Sequence, residues 1–264
     1  MFTRTLLTGI AAAASICAVS AADLYVPKAA ADFDKANIFT VKNGVFTAKG
    51  PFTATSKKVF KVDPAKKYRV SGTVKGISGK TGYIYLGFVP YNAQNRWIHP
   101  ASANCGANTF TELAAPVKKG DKVIKVKDAS KWDSKTPYGA VAFDAKADFS
   151  DLPNFNFVFV PKNSIAKKGD VWEITLKTPL AKAYPAGTKI RQQLSSSTYI
   201  YAVIRKVADK ELQLAGTVSG LYKDKIGFGK FWPGTKTFRL LVMHGSTKPD
   251  AVLEIKNLKL EEVK

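Results

Sequence analysis

The chain has 264 residues, 45% of them apolar and 11% aromatic, which is enough to bury a sizeable core and too much for intrinsic disorder. Two cysteines and two histidines exclude a disulfide-stapled scaffold and a cysteine-rich zinc site. Forty-one basic residues against twenty acidic ones give a formal charge of +21, which favours an anionic partner without naming a reaction.

Residues 1–22 read as a secretory signal peptide. Arg4 supplies the positive start, residues 6–18 the apolar run, and Val19-Ser20-Ala21-Ala22 the small residues of a cleavage site. The run falls short of the roughly 20 residues of a membrane span, and Ile16 is too bulky for the residue before a lipidated Cys17. The expected mature chain starts at Ala22 or Asp23, has no later transmembrane segment, and is secreted, periplasmic or held at the cell surface. Its loss removes one base, Arg4, and no acid, so the charge falls from +21 to +20. Cys105 is then the one remaining thiol, either a small buried hydrophobe or half of an intermolecular disulfide.

Strand signals dominate from residue 23 to residue 264. Residues 57–62 alternate, Asp63-Pro64 is a turn, and Tyr68, Val70 and Val74 repeat with period two over residues 68–75. Further strand-like runs cover 83–89, 155–160, 171–176, 199–206, 238–244 and 252–260, with turn residues at 76–82, 185–187 and 233–234 between them. No stretch of about a dozen residues keeps a helical apolar period. This pattern predicts an all-β fold, a β-sandwich or barrel. The tetrapeptide Lys-Lys-Gly-Asp occurs at 118–121 and again at 167–170, each time ahead of a strand, which marks an inserted β-hairpin-rich sub-structure over 111–193. In the last strand Leu253 and Ile255 share one parity while Leu258 and Leu260 take the other, which predicts a β-bulge near Lys256-Asn257. The expected core is Tyr68, Val70, Val74, Leu240, Val242, Leu253, Ile255, Leu258 and Leu260.

Residues 59–76, with Asp63-Pro64 followed by Tyr68-x-x-Ser71-Gly72-x-Val74-x-Gly76, resemble the early strand pair of jelly-roll carbohydrate-binding modules of families four and nine. Residues 83–97 resemble their next strand, residues 231–242 their late element with Pro233, Arg239 and Leu240, and residues 252–263 their closing strand. The resemblance covers about 32–100 and 200–264 and implies a jelly-roll sandwich that binds sugar without catalysis. That family's closing strand commonly carries an aspartate that helps hold a structural calcium, where Lys256-Asn257 stand here, and a lysine repels a divalent cation. No cofactor or metal is expected. Residues 111–193 have no counterpart in a minimal module.

Sugar recognition needs flat apolar rings and a few fixed polar groups. Tyr91, Asn92, Gln94, Asn95, Arg96 and Trp97 place two aromatics, three amides and a guanidinium within seven residues, and Trp232 is a candidate second platform. The competing reading is an ordinary hairpin with Trp97 in the core. Trp132 sits in a loop-like stretch that suggests exposure, and Trp172 shares parity with Ile174 and Leu176, which suggests burial. Asp144, Asp148 and Asp151 read as a solvated loop in preference to a calcium site. There is no nucleophile elbow, no His-Glu-x-x-His pair and no evident carboxylate dyad, so no catalytic residue is expected. The bases are 35 Lys and six Arg scattered along the chain, which argues against nucleic acid and for an anionic polysaccharide or cell-surface polymer. The alternative is a structural subunit of an extracellular layer, matrix or filament, for which self-association is expected.

Overall fold

The computed structural model describes residues 21–263, and among them eighteen strands with one four-residue α-helical turn at Pro100–Ala103. The expected leader lies outside the described residues up to residue 20. The early strands are β1 (Ala21–Tyr25), β2 (Phe39–Lys42), β3 (Val45–Lys49), β4 (Phe52–Thr55), β5 (Phe60–Lys61), β6 (Lys67–Ser78) and β7 (Tyr83–Tyr91). The middle ones are β8 (Thr111–Glu112), β9 (Val123–Val126), β10 (Gly139–Phe143), β11 (Phe157–Phe159), β12 (Ile165–Lys168), β13 (Val171–Thr175) and β14 (Lys189–Leu194). The chain ends with β15 (Ile200–Lys206), β16 (Leu212–Ser219), β17 (Thr237–Gly245) and β18 (Val252–Val263). No described helix is long and apolar enough to cross a membrane.

The expected all-β sandwich is what forms. One antiparallel sheet runs β16-β6-β18-β3-β2, with β1 also on β18; the other runs β15-β7-β17-β4, with β5 also on β17. Their inner faces share one hydrophobic core. Alternation builds it: Tyr68, Val70 and Val74 of β6 point in, as do Ile84, Leu86 and Phe88 of β7 and Phe238, Leu240 and Val242 of β17. All nine residues expected in the core are buried. The bulge is where the parity shift puts it. The β18–β6 register slips between Lys256 and Lys259, and Asn257 takes φ 51°, so Leu258 and Leu260 regain the inner face.

Phe238 is the hub of this core. Its ring centroid lies 4.8 Å from Phe88, 5.1 Å from Tyr68, 5.2 Å from Phe231 and 5.3 Å from Phe60. These separations suit edge-to-face and offset packing between the two sheets. At the other end of β17, His244 is buried with Nδ1 2.8 Å from the Gly50 carbonyl, while its Nε2 accepts from the Gly82 N–H at 3.2 Å. The ring is therefore a structural clasp that ties β17 to the Gly50 carbonyl through Nδ1 and to the Gly82 N–H through Nε2.

A second hydrophobic cluster draws its buried members from between Leu113 and Ile190. It lies under two small sheets, β11-β10-β14-β8 and β12-β13-β9. The repeated Lys-Lys-Gly-Asp segments lead into β9 and β13, which pair antiparallel, and Gly120 and Gly169 both adopt positive φ. The expected exposure of Trp132 is wrong: its ring joins this cluster, and Nε1–H donates to the Thr109 carbonyl at 2.9 Å, which gives the buried indole its partner. Trp172 packs against the same cluster while remaining partly exposed. The three loop aspartates turn to different partners. Asp144 accepts from Asn156, Asp148 from the Ser150 N–H, and Asp151 forms a buried 2.7 Å ion pair with Arg191. Arg191 also donates to the Lys146 carbonyl, so it fixes the loop before β11. The two cores meet along residues 102–106, where Ser102 O accepts from the Asn154 N–H at 2.7 Å and Gly106 N–H donates to Gln192 O at 2.9 Å.

Phe238→Ala removes the ring that four others pack on. It should cost about 3–5 kcal/mol of unfolding free energy in a urea titration. A loss below about 1 kcal/mol would mean that the sheets do not depend on this contact.

Candidate functional site

Alternation that turns Ile84, Leu86 and Phe88 inward turns Tyr83, Tyr85 and Tyr91 outward. On the neighbouring strand Tyr201, together with Tyr199 just before it, reaches the same outer face. Gly87 permits the close approach of β15 there, since a Cβ at this position would meet the Ile200 carbonyl oxygen at 2.1 Å.

The turn after β7 is built by its amides. Asn92 Oδ1 accepts from the backbone N–H groups of Gln94 (3.1 Å) and Arg96 (2.9 Å), and Asn95 takes φ 56°. A bridge between Tyr91 and Trp97 closes the turn and lays the indole beside the sheet. Across the junction, residues 155–160 carry three phenylalanines on one face and, beyond Asn156, two valines on the other. Val158 and Val160 go to the second core, so Phe155, Phe157 and Phe159 face the other way and stay partly exposed.

Together these elements form an unbroken series of seven partly exposed rings, Tyr85, Tyr201, Tyr199, Trp97, His99, Phe157 and Phe159, with successive centroids 5.0, 6.3, 6.5, 5.3, 5.8 and 5.4 Å apart. The series starts on the outer face of the sandwich and ends on the inserted sub-structure. Near its middle Arg96, Trp97, His99, Phe155 and Phe157 line an open hollow of about 350 Å³. The Arg96 guanidinium carbon stands 3.7 Å from the centroid of Phe155, a cation–π contact.

The polar groups of this trough are neutral donors and free cations. Burial pushes the Tyr91, Tyr199 and Tyr201 phenols upward, so each keeps its hydroxyl proton near neutral pH. The Arg239 guanidinium lies 5.5 Å from the Tyr91 ring. Neither Arg96 nor Arg239 takes part in an ion pair among the described residues. Trp97 Nε1, Thr237 Oγ1 and Arg239 Nε are enclosed around Tyr91 without a protein hydrogen-bond partner. His99 Nδ1 accepts from the Ala101 N–H at 3.1 Å, which leaves the neutral ring with its proton on Nε2. Desolvation lowers the His99 pKa from its ordinary 6.5.

Of the seven residues expected to bind, Tyr91, Arg96 and Trp97 lie on the trough. Asn92 and Asn95 shape the turn, and Gln94 is exposed at its tip. Trp232 is a correction. It is 1% exposed and packed in the main core, so it offers no face to a ligand. The sequence reading missed Tyr85, Tyr199, Tyr201, His99, Phe155, Phe157 and Phe159. The Phe155-x-Phe157-x-Phe159 spacing was the available signal, because a strand with Val158 and Val160 on its other face cannot bury both rows against one core. Cys105 is partly buried, and desolvation pushes its thiol up to about 12, so it is a protonated thiol at neutral pH. Comparison with protein-family models, with curated proteins and with solved structures finds no match.

The lowered His99 pKa has a definite sign. The unfolded chain takes up this proton near pH 6.5 and the folded chain only at lower pH. Stability should therefore fall as the pH drops below 6.5 and stop changing from this source below the folded value. An NMR titration of the His99 ring should find its midpoint below 6.5; a midpoint above that value would contradict its partly buried placement.

Proposed function

We propose that this is an exported, non-catalytic carbohydrate-binding protein, a jelly-roll-type module whose ligand lies along the aromatic trough. The observation that carries this reading is the seven-ring series. Pyranose rings present C–H faces that stack on such platforms, and each covered aromatic ring buries roughly 150–250 Å². The phenol hydroxyls, the His99 Nε2–H and the Arg96 guanidinium supply the planar or fixed donors that read sugar hydroxyls and carboxylates. Acidic polysaccharide is the preferred class, because the exported chain, without Arg4, keeps a charge of +20 that attracts polyanions over long range. Catalysis is not part of the proposal.

A glycan array probed at low and at high salt, followed by titration of the best neutral and acidic oligosaccharides, tests this. Wild-type protein should bind with a dissociation constant of roughly 10⁻⁵ to 10⁻³ M. Trp97→Ala and Arg96→Ala should each weaken binding about tenfold, equivalent to about 1.4 kcal/mol, with the fold intact. The acidic ligands alone should lose affinity at high salt. If the folded variants bind as the wild type does, the trough is not the site. If the wild type binds no glycan and sediments as a concentration-dependent polymer, the structural-subunit reading replaces this one.

A further inference from the structure

The aromatic series does not stop at the hollow around Trp97. Phe159, its last ring, is also a wall of a second hollow of about 420 Å³ on the inserted sub-structure. The other lining residues are Pro137, Tyr138, Val160, Pro161, Lys177 and Ser195. Phe157 and Phe159 lie two residues apart on one face of β11, with centroids 5.4 Å apart, so one edge strand joins the two hollows.

The second hollow is firmly built. Lys177 N–H donates to Phe159 O at 2.7 Å, Ser195 N–H to Tyr138 O at 2.8 Å, and Val160 N–H to Gly139 O at 2.9 Å. Two prolines fix backbone around it, so little order remains to be imposed on binding. Tyr138 is 59% exposed, the second most exposed large apolar side chain among the described residues, and the fold gains little from leaving it there. Lys177 takes part in no ion pair among the described residues, and no acidic residue lines the hollow.

We infer that the two hollows are successive parts of one cleft that holds an extended acidic polysaccharide chain, with an aromatic platform at Tyr138 and a cation for a carboxylate or sulfate at Lys177. This rests on the carbohydrate reading above and adds the length and charge of the ligand. The inserted sub-structure then supplies half of the binding face.

The probes are oligogalacturonides and chondroitin sulfate oligomers of two, four and six sugar units, with xylo-oligomers of the same lengths as the neutral series, titrated by calorimetry. Wild-type protein should bind a six-unit acidic oligomer at least tenfold more tightly than the two-unit one. In Tyr138→Ala that advantage should shrink to within threefold. Lys177→Gln should weaken the acidic hexamers and leave xylohexaose as in the wild type. The two acidic series separate a carboxylate requirement from a sulfate one. Thermal melts confirm that each variant is folded, and Tyr138, being exposed, is the safer substitution if a change at Phe159 unfolds β11. If Tyr138→Ala and Lys177→Gln keep the full length advantage while Trp97→Ala loses affinity at all lengths, the second hollow is not part of the cleft and the carbohydrate reading survives. If no probe binds the wild type at any length, both fall.

Discussion

The packing of four aromatic rings around Phe238 is the contact on which the outer aromatic face depends. It ties β17 to β6 through Tyr68, to β7 through Phe88, to β5 through Phe60 and to the preceding segment through Phe231. A strand has only two faces, so fixing Phe238 inward fixes Thr237 and Arg239 outward. A register slip of one residue would exchange them and place a guanidinium in an aromatic core, at a desolvation cost that no neighbouring acid offsets. The outer position of Arg239 beside Tyr91 is thus a consequence of apolar packing on the opposite side of the sheet.

The same reasoning extends across the junction. Among the described residues β11 pairs only with β10, so it is an edge strand, and its Val158 and the adjacent Val160 are claimed by the second core. Three phenylalanines of the other parity then have no core to enter, and they face His99 and Arg96 of the sandwich. Leaving rings partly in water forgoes burial worth about 25 cal/mol for each Å² left exposed. The Arg191–Asp151 pair and the Asn154 hydrogen bonds to Phe143 and Ser102 position the loop before β11, which holds that row against the sandwich. A buried ion pair of this kind adds little net stability, but removing one partner strands the other charge.

Much of the fold was legible in the chain. The shift of parity between Ile255 and Leu258 has one economical geometric solution, an extra residue, and the bulge at Asn257 is that solution. The core rows of β6, β7 and β17 follow from period two alone. The tryptophans were less legible, because Trp97, Trp132 and Trp232 lie outside regular strands, where alternation assigns no face. Trp232 is buried with Phe231 under the packing of both sheets, whereas Trp97 is held at the surface by the Asn92 turn. The ring series combines residues 85, 97, 157 and 201, which come together only through the pairing of β7 with β15 and the docking of the insertion. Local pattern contains no information about those long-range contacts.

The most direct test is aromatic ¹H–¹³C NMR of the protein titrated with hexagalacturonate. Ligand lying on the trough should shift the ring signals of Trp97, His99, Phe157 and Tyr199 in a saturable, concerted way, and leave the enclosed Phe238 and Trp232 rings unmoved. Shifts confined to residues outside the series, or none at concentrations up to several millimolar, would contradict a carbohydrate face built from these rings.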